Sequence, residues 1–216
     1  MLQKSISTGR AATLLIFITP ITILIFSFSP FYLGYTTIAP YTNLLSPAFN
    51  FAGLILLALS MRGLTKHYKD PSLFKNTLYG SLTLIVGVAF FYCLSYVVFP
   101  SIFTDLTAIP YSMQTPETLA SLFLDILVFS VILWIGIFIV YLVSGIFFRR
   151  AFYGLAEKTG EDKFRQAGFW IFLGGLTSII FIGALFVFVA WLFALLGFSS
   201  LNKKSKTVKN LSEKTL

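Results

Sequence analysis

From Ala11 to Met61 the chain carries no Asp, Glu, Lys or Arg, and three more uncharged stretches follow, at Asn76 to Thr104, Ile126 to Phe148 and Gln166 to Asn202. Each exceeds the roughly 18 to 20 residues with which an apolar helix crosses a bilayer. A chain of 216 residues divided in this way is not a soluble enzyme, a disordered tail or a secreted disulfide scaffold. It is 57% apolar and 11% charged, whereas soluble domains are about half apolar and one quarter charged. The predicted fold is an all-α membrane protein, with a single polytopic domain over residues 1–201 and a basic cytoplasmic tail over 202–216.

The formal charge of +8 would suggest nucleic acid in a soluble chain, but here it reflects the Lys and Arg that accumulate in cytoplasmic loops. No nucleic-acid partner is expected. The 25 Phe, 10 Tyr and 3 Trp suit lipid-facing and interfacial positions. A single cysteine, Cys93, excludes an intrachain disulfide and a thiolate cluster; lying in an apolar run, it is expected in the core. Lys4 and Arg10 precede an apolar run longer than a signal-peptide core, so the N-terminus reads as an uncleaved first span.

Five helix boundaries are legible. The first span covers about Ala11 to Phe31, with Pro20 midway. Tyr32 to Pro47, with Gly34, Pro40 and Pro47, predicts a loop, and the second span runs from about Ala48 to Tyr68. Asp70 and Pro71 form an N-cap and first-turn proline that open a third span to about Phe99. Pro100, Pro110 and Pro116 mark a second loop. The fourth span begins near Thr118 and ends at Arg149 and Arg150, with Ala151 to Ala156 extending it into the interface. Gly160 is a helix C-cap, and Glu161 and Asp162 head the next helix, where negative charge is favoured.

The run from Gln166 to Asn202 would be about 55 Å long as one helix, against a hydrocarbon core of about 30 Å. A break near Ile182 and Gly183 gives two short spans and a bundle of six transmembrane helices; the alternative is five, with one long tilted C-terminal helix. Six spans with both termini cytoplasmic put all 16 basic residues on the inner face, in accord with the positive-inside tendency. The outer loops keep only Asp105 and Glu117. Gly63-Leu64 followed by Phe74-Lys75-Asn76 is echoed by Gly154-Leu155 followed by Phe164-Arg165-Gln166, a skeleton that either a parallel duplication or the ordinary make-up of short inner loops explains.

The stretch RRAFYGLAEKTGEDKFRQAGFWIFLGGLTSIIFIGALFVFVAWLFALLGFSSL, Arg149 to Leu201, resembles the C-terminal half of an archaeal integral-membrane family catalogued only as a domain of unknown function. GLILLALSMRGLTKHYKDPSLFKNTLYG, Gly53 to Gly80, matches its N-terminal half more loosely. The resemblance implies archaeal origin, a membrane location and a hairpin where Phe181-Ile182-Gly183 stands in place of a proline-containing turn. It implies longer outer loops than usual at 32–47 and 100–117, and no activity or catalytic residue.

Asp125 is the one ionisable side chain expected well inside a span, about 10 Å deep if the helix starts at the surface. Such carboxylates are proton relays or cation ligands by default, while a hydrogen bond to a nearby Thr, Ser or Tyr is the structural counterpart. His67 stands at the inner end of the second span. One histidine, one cysteine and no CxxCH exclude a metal or haem site built by this chain alone, and no cofactor is expected. Glu161 and Asp162 are expected to face solvent, their role complete in capping. Neither a G-x-S-x-G elbow nor a phosphate loop nor an HExxH is present.

Small residues at Gly174, Gly175, Gly183, Ala190, Ala194 and Gly197 are candidate helix-packing positions. Lys203, Lys204 and Lys206 are candidate contacts to anionic lipid. These observations predict a multi-pass protein of the cell membrane with no catalytic residues, an accessory or structural subunit acting through helix packing in a larger membrane complex or homo-oligomer. The alternative is a small-solute or ion transporter or channel with Asp125 lining the path.

Overall fold

Uncharged runs of this length must pair their own backbone groups, which in lipid means helices. The computed structural model, describing residues 2–28, 35–108, 116–180 and 182–214, contains six α-helices among those residues. They are α1 (Leu2–Phe28), α2 (Tyr35–Tyr68), α3 (Pro71–Ala108), α4 (Pro116–Thr159), α5 (Asp162–Leu176) and α6 (Ile182–Lys214), with a 3-10 turn at Ser178–Ile180 before α6. Each packs on its neighbour in sequence and α6 returns to α1, so the helices close a ring. Segments long and apolar enough to cross a membrane lie at Ala48–Tyr68, Pro71–Phe91, Phe123–Thr159 and Ile182–Ser205.

The helix starts and stops follow local chemistry. Asp70 caps α3 as expected: its Oδ1 accepts the Ser72 amide at 3.0 Å and the Ser72 hydroxyl at 2.6 Å. Gly160 ends α4 at φ +64°, in the left-handed region that glycine enters without cost. Lys69 occupies the same conformation at φ +54° after α2. The predicted break falls at Thr177 to Ile180, just before Ile182, and separates α5 from α6.

Aromatic rings fill the inner end of the ring of helices. Phe152 stacks on Phe164 at 6.2 Å between centroids, Phe164 meets Phe198 edge-on at 5.0 Å, and Trp191 meets Phe148 and Phe152 edge-on. Gly9 lies against both Phe198 and Ser60, which places Gly9, Ser60, Phe152, Phe164 and Phe198 in one plane. Arg10, Arg62, Arg149, Arg150 and Arg165 all fall within about a turn of it, as expected for side chains at an inner headgroup boundary. Thirty ångströms above that plane is about 20 helical residues, which on α1 is close to its end at Phe28.

Four expectations are corrected. Residues 35–47 and 100–108 are helical rather than loops: a proline removes one donor, and a helix that keeps its other backbone groups paired carries it. Residues 29–34, 109–115 and 181, which include Gly34, Pro110 and Phe181, lie outside the described residues. The first helix starts at Leu2, well before Ala11. The basic segment from Asn202 to Lys214 continues α6 rather than forming a separate tail, since it contains neither Gly nor Pro. Cys93 is exposed on α3, not in the core.

Candidate functional site

The two short connections, from α2 to α3 and from α4 to α5, are built alike. In each, a left-handed residue closes one helix, an acidic residue heads the next, and that acid reaches a lysine on the helix after. Asp70 lies 3.8 Å from Lys158 of α4. Glu161 accepts the Ser200 hydroxyl of α6 at 2.7 Å and the Lys204 ammonium at 3.1 Å on Oε2, with Lys163 3.8 Å from Oε1. Leu64 and Leu155, the paired leucines of the sequence skeleton, are both fully buried beneath these turns.

Glu161 is therefore buried, at 8% exposure, and makes no side-chain cap bond to its own helix. This corrects the expectation of a solvent-facing capping residue. Its partners lie about forty positions away on another helix, where only the fold brings them near. Burial pushes its carboxyl up, but the Ser200 and Lys204 hydrogen bonds and the Lys204 and Lys163 charges outweigh that and hold it below the usual carboxylate value. Asp70 is also held low, chiefly by the Ser72 hydroxyl, against a smaller upward push from burial. Both acids lock helix ends together; neither faces an open pocket with a second titratable group.

The small residues sit at helix contacts inside the chain. A methyl added to Gly174 would lie 2.9 Å from the Gly183 carbonyl oxygen and 2.6 Å from Val187, and one on Gly183 would collide with the Gly174 carbonyl oxygen. The α5–α6 hairpin thus closes backbone on backbone. Gly175 faces the Tyr141 carbonyl of α4, Gly197 faces the Phe164 ring, and Ala190 and Ala194 are buried. Thr177 and Ser178 turn their hydroxyls back onto the Leu173 and Gly175 carbonyls, and the tip exposes Leu176, Ile179, Ile180 and Ile182. Measured from Phe164, α5 rises only about 18 Å, so the tip stops short of a core of about 30 Å. A tip that stays in hydrocarbon and satisfies its own polar groups needs no polar turn sequence.

The remaining candidates lie apart. Asp125 is exposed on α4, about 40 Å along the helix from Phe152 and near the start of the apolar segment Phe123–Thr159. Among the described residues Asp125 meets no cationic partner. His67 is exposed and edge-on to Tyr68 at 4.9 Å. Lys204 is engaged by Glu161, Lys203 is exposed, and the Lys206 side chain lies outside the described residues. No group of three His, Cys, Asp or Glu side chains gathers among the described residues.

A family described as "Protein of unknown function (DUF996)" matches residues 49–192, two thirds of the chain, from the apolar part of α2 into α6. The uncharacterized protein MJ1644 of Methanocaldococcus jannaschii is similar: it is 26% identical over 152 residues, covering 69% of this chain and 77% of that protein. No solved structure matches.

Proposed function

The chain belongs to this family of unknown function, and on that premise we propose that it is a non-enzymatic accessory or structural subunit of the cell membrane. It works through helix surfaces in a larger membrane complex, with both termini cytoplasmic. The observation that carries this reading is the outer half of α4. The α5–α6 hairpin is short, and along the part of α4 that rises past it the described apolar side chains are exposed. Phe123, Leu124, Leu127, Val131, Ile132 and Ile135 are all more than 40% exposed and span about half of the helix circumference at 100° per residue. An apolar face of this extent beside a recess above the hairpin tip suits a transmembrane helix of another protein, held by van der Waals packing.

The inner-face acids support the same reading, since they serve to fix helices to one another. The alternative, a transporter with Asp125 lining its path, draws no support from a carboxylate exposed at the outer end of a helix. A photo-crosslinking residue placed at Leu127 or Ile135 in native membranes is expected to give one discrete protein adduct, lost when Val131 is changed to Lys. Adducts with lipid alone would overturn the proposal.

A further inference from the structure

α2 and α3 pack less closely than their counterparts α4 and α5. In the second pair Gly145, Gly168 and Gly175 face backbone atoms of the opposing helix. No glycine does this between α2 and α3, and an open groove of about 250 Å³ remains between them. Its walls are Ile55 and Leu59 on α2 and Leu78, Leu82 and Ile85 on α3. This is below the roughly 300 to 1,000 Å³ of closed small-molecule sites and has the form of a slot.

The slot is polar at one end only. On α2 the face carrying Ile55 and Leu59 continues inward to Arg62 and Lys66, and on α3 the face carrying Ile85, Leu82 and Leu78 continues to Lys75. Arg62 lines the groove itself. All three cations are exposed, and none has an acidic partner among the described residues. The nearby acid, Asp70, is occupied by Ser72 and Lys158. From the plane of Ser60 the apolar wall on α2 climbs about 9 Å to Leu54, more than half the depth of one leaflet. Partway up, the Ser81 hydroxyl lines the groove, buried at 3% exposure and without a hydrogen-bond partner. A buried donor left in this state is costly unless something else accepts from it.

We infer that the α2–α3 groove binds one anionic phospholipid of the inner leaflet, its phosphate at Arg62, Lys66 and Lys75 and one chain in the slot. The three charges match the headgroup, and the walls match the first part of the chain.

The test uses the full chain in nanodiscs of equal phosphatidylglycerol and phosphatidylcholine, with retained lipid counted by native mass spectrometry. One phosphatidylglycerol is expected to remain preferentially bound. Arg62→Gln, at an exposed position, lowers that preference about fivefold, from roughly 1 kcal/mol per basic residue at the surface. Leu59→Trp fills the slot from its exposed rim and lowers retention, whereas Lys209→Gln leaves it unchanged. Equal retention of phosphatidylcholine, displacement by inorganic phosphate, or an Arg62→Gln preference equal to that of the parent would overturn the proposal.

Discussion

Gly175→Ala and Gly154→Ala form a matched pair that separates packing from helix propensity. Gly154 lies inside α4 and Gly175 one residue before the end of α5, so the gain in intrinsic propensity is about 1 kcal/mol at Gly154 and smaller at Gly175. Their surroundings differ. A methyl at Gly175 lies 2.7 Å from the Tyr141 oxygen and 3.2 Å from Leu142 Cα, both backbone atoms of α4. A methyl at Gly154 meets only the end of the Leu73 side chain, at 3.1 Å. Even a weak carbon–oxygen contact prefers about 3.3 to 3.6 Å, so α4 and α5 must part by more than half an ångström in the first variant. Leu73 needs only to turn slightly in the second. Overpacking costs about 1 to 3 kcal/mol, and the smaller propensity gain acts in the same direction, so Gly175→Ala should be about 2 kcal/mol less stable than Gly154→Ala. In thermal unfolding followed by circular dichroism in detergent, that is a separation of about 4 to 8 °C. Coincident transitions would refute close packing of α5 on α4.

Glu161→Gln should destabilise at pH 7, and the gap to the parent should close as the medium is acidified. The folded Glu161 is held below its ordinary value, so its contribution is complete above the unfolded pKa near 4.3 and fades as pH falls through the lower folded value; a gap that does not change between pH 7 and pH 3 would contradict this. Gly160→Val should cost at least 1 kcal/mol in an unfolding titration, because a β-branched residue must enter the left-handed region, while Lys69→Gly should raise stability by up to about 1 kcal/mol at the equivalent turn. Asp125→Asn should change stability by less than about 0.5 kcal/mol; a large loss, or a lost pH-dependent flux in proteoliposomes, would restore a role for that carboxylate.

Local signals were readable where a single residue forces the outcome. Asp70 with Pro71 and Gly160 each mark a helix boundary through their own chemistry, and the length of the run from Gln166 to Asn202 required the break near Ile182. Where several neighbours share the decision, the sequence misled. Pro40, Pro47 and Pro100 look like breakers in isolation, yet their segments are helical, because a proline removes only one donor from a helix whose other groups stay paired. The partners of Glu161 and the gap between α2 and α3 depend on the order in which the helices pack, which no window of sequence contains.

The central claim, that six helices form a ring with a short C-terminal hairpin and both termini on the inner face, is tested most directly by cysteine accessibility. In a Cys93→Ser background, Glu117→Cys, Glu157→Cys, Ile180→Cys and Ser212→Cys are each exposed to a membrane-impermeant maleimide in intact cells and in inverted vesicles. Glu157→Cys and Ser212→Cys should react only in inverted vesicles, Glu117→Cys only in intact cells, and Ile180→Cys in neither, since the hairpin tip stays in hydrocarbon. Reaction of Ser212→Cys in intact cells would mean that α5 and α6 cross the membrane as one helix, and would contradict the account.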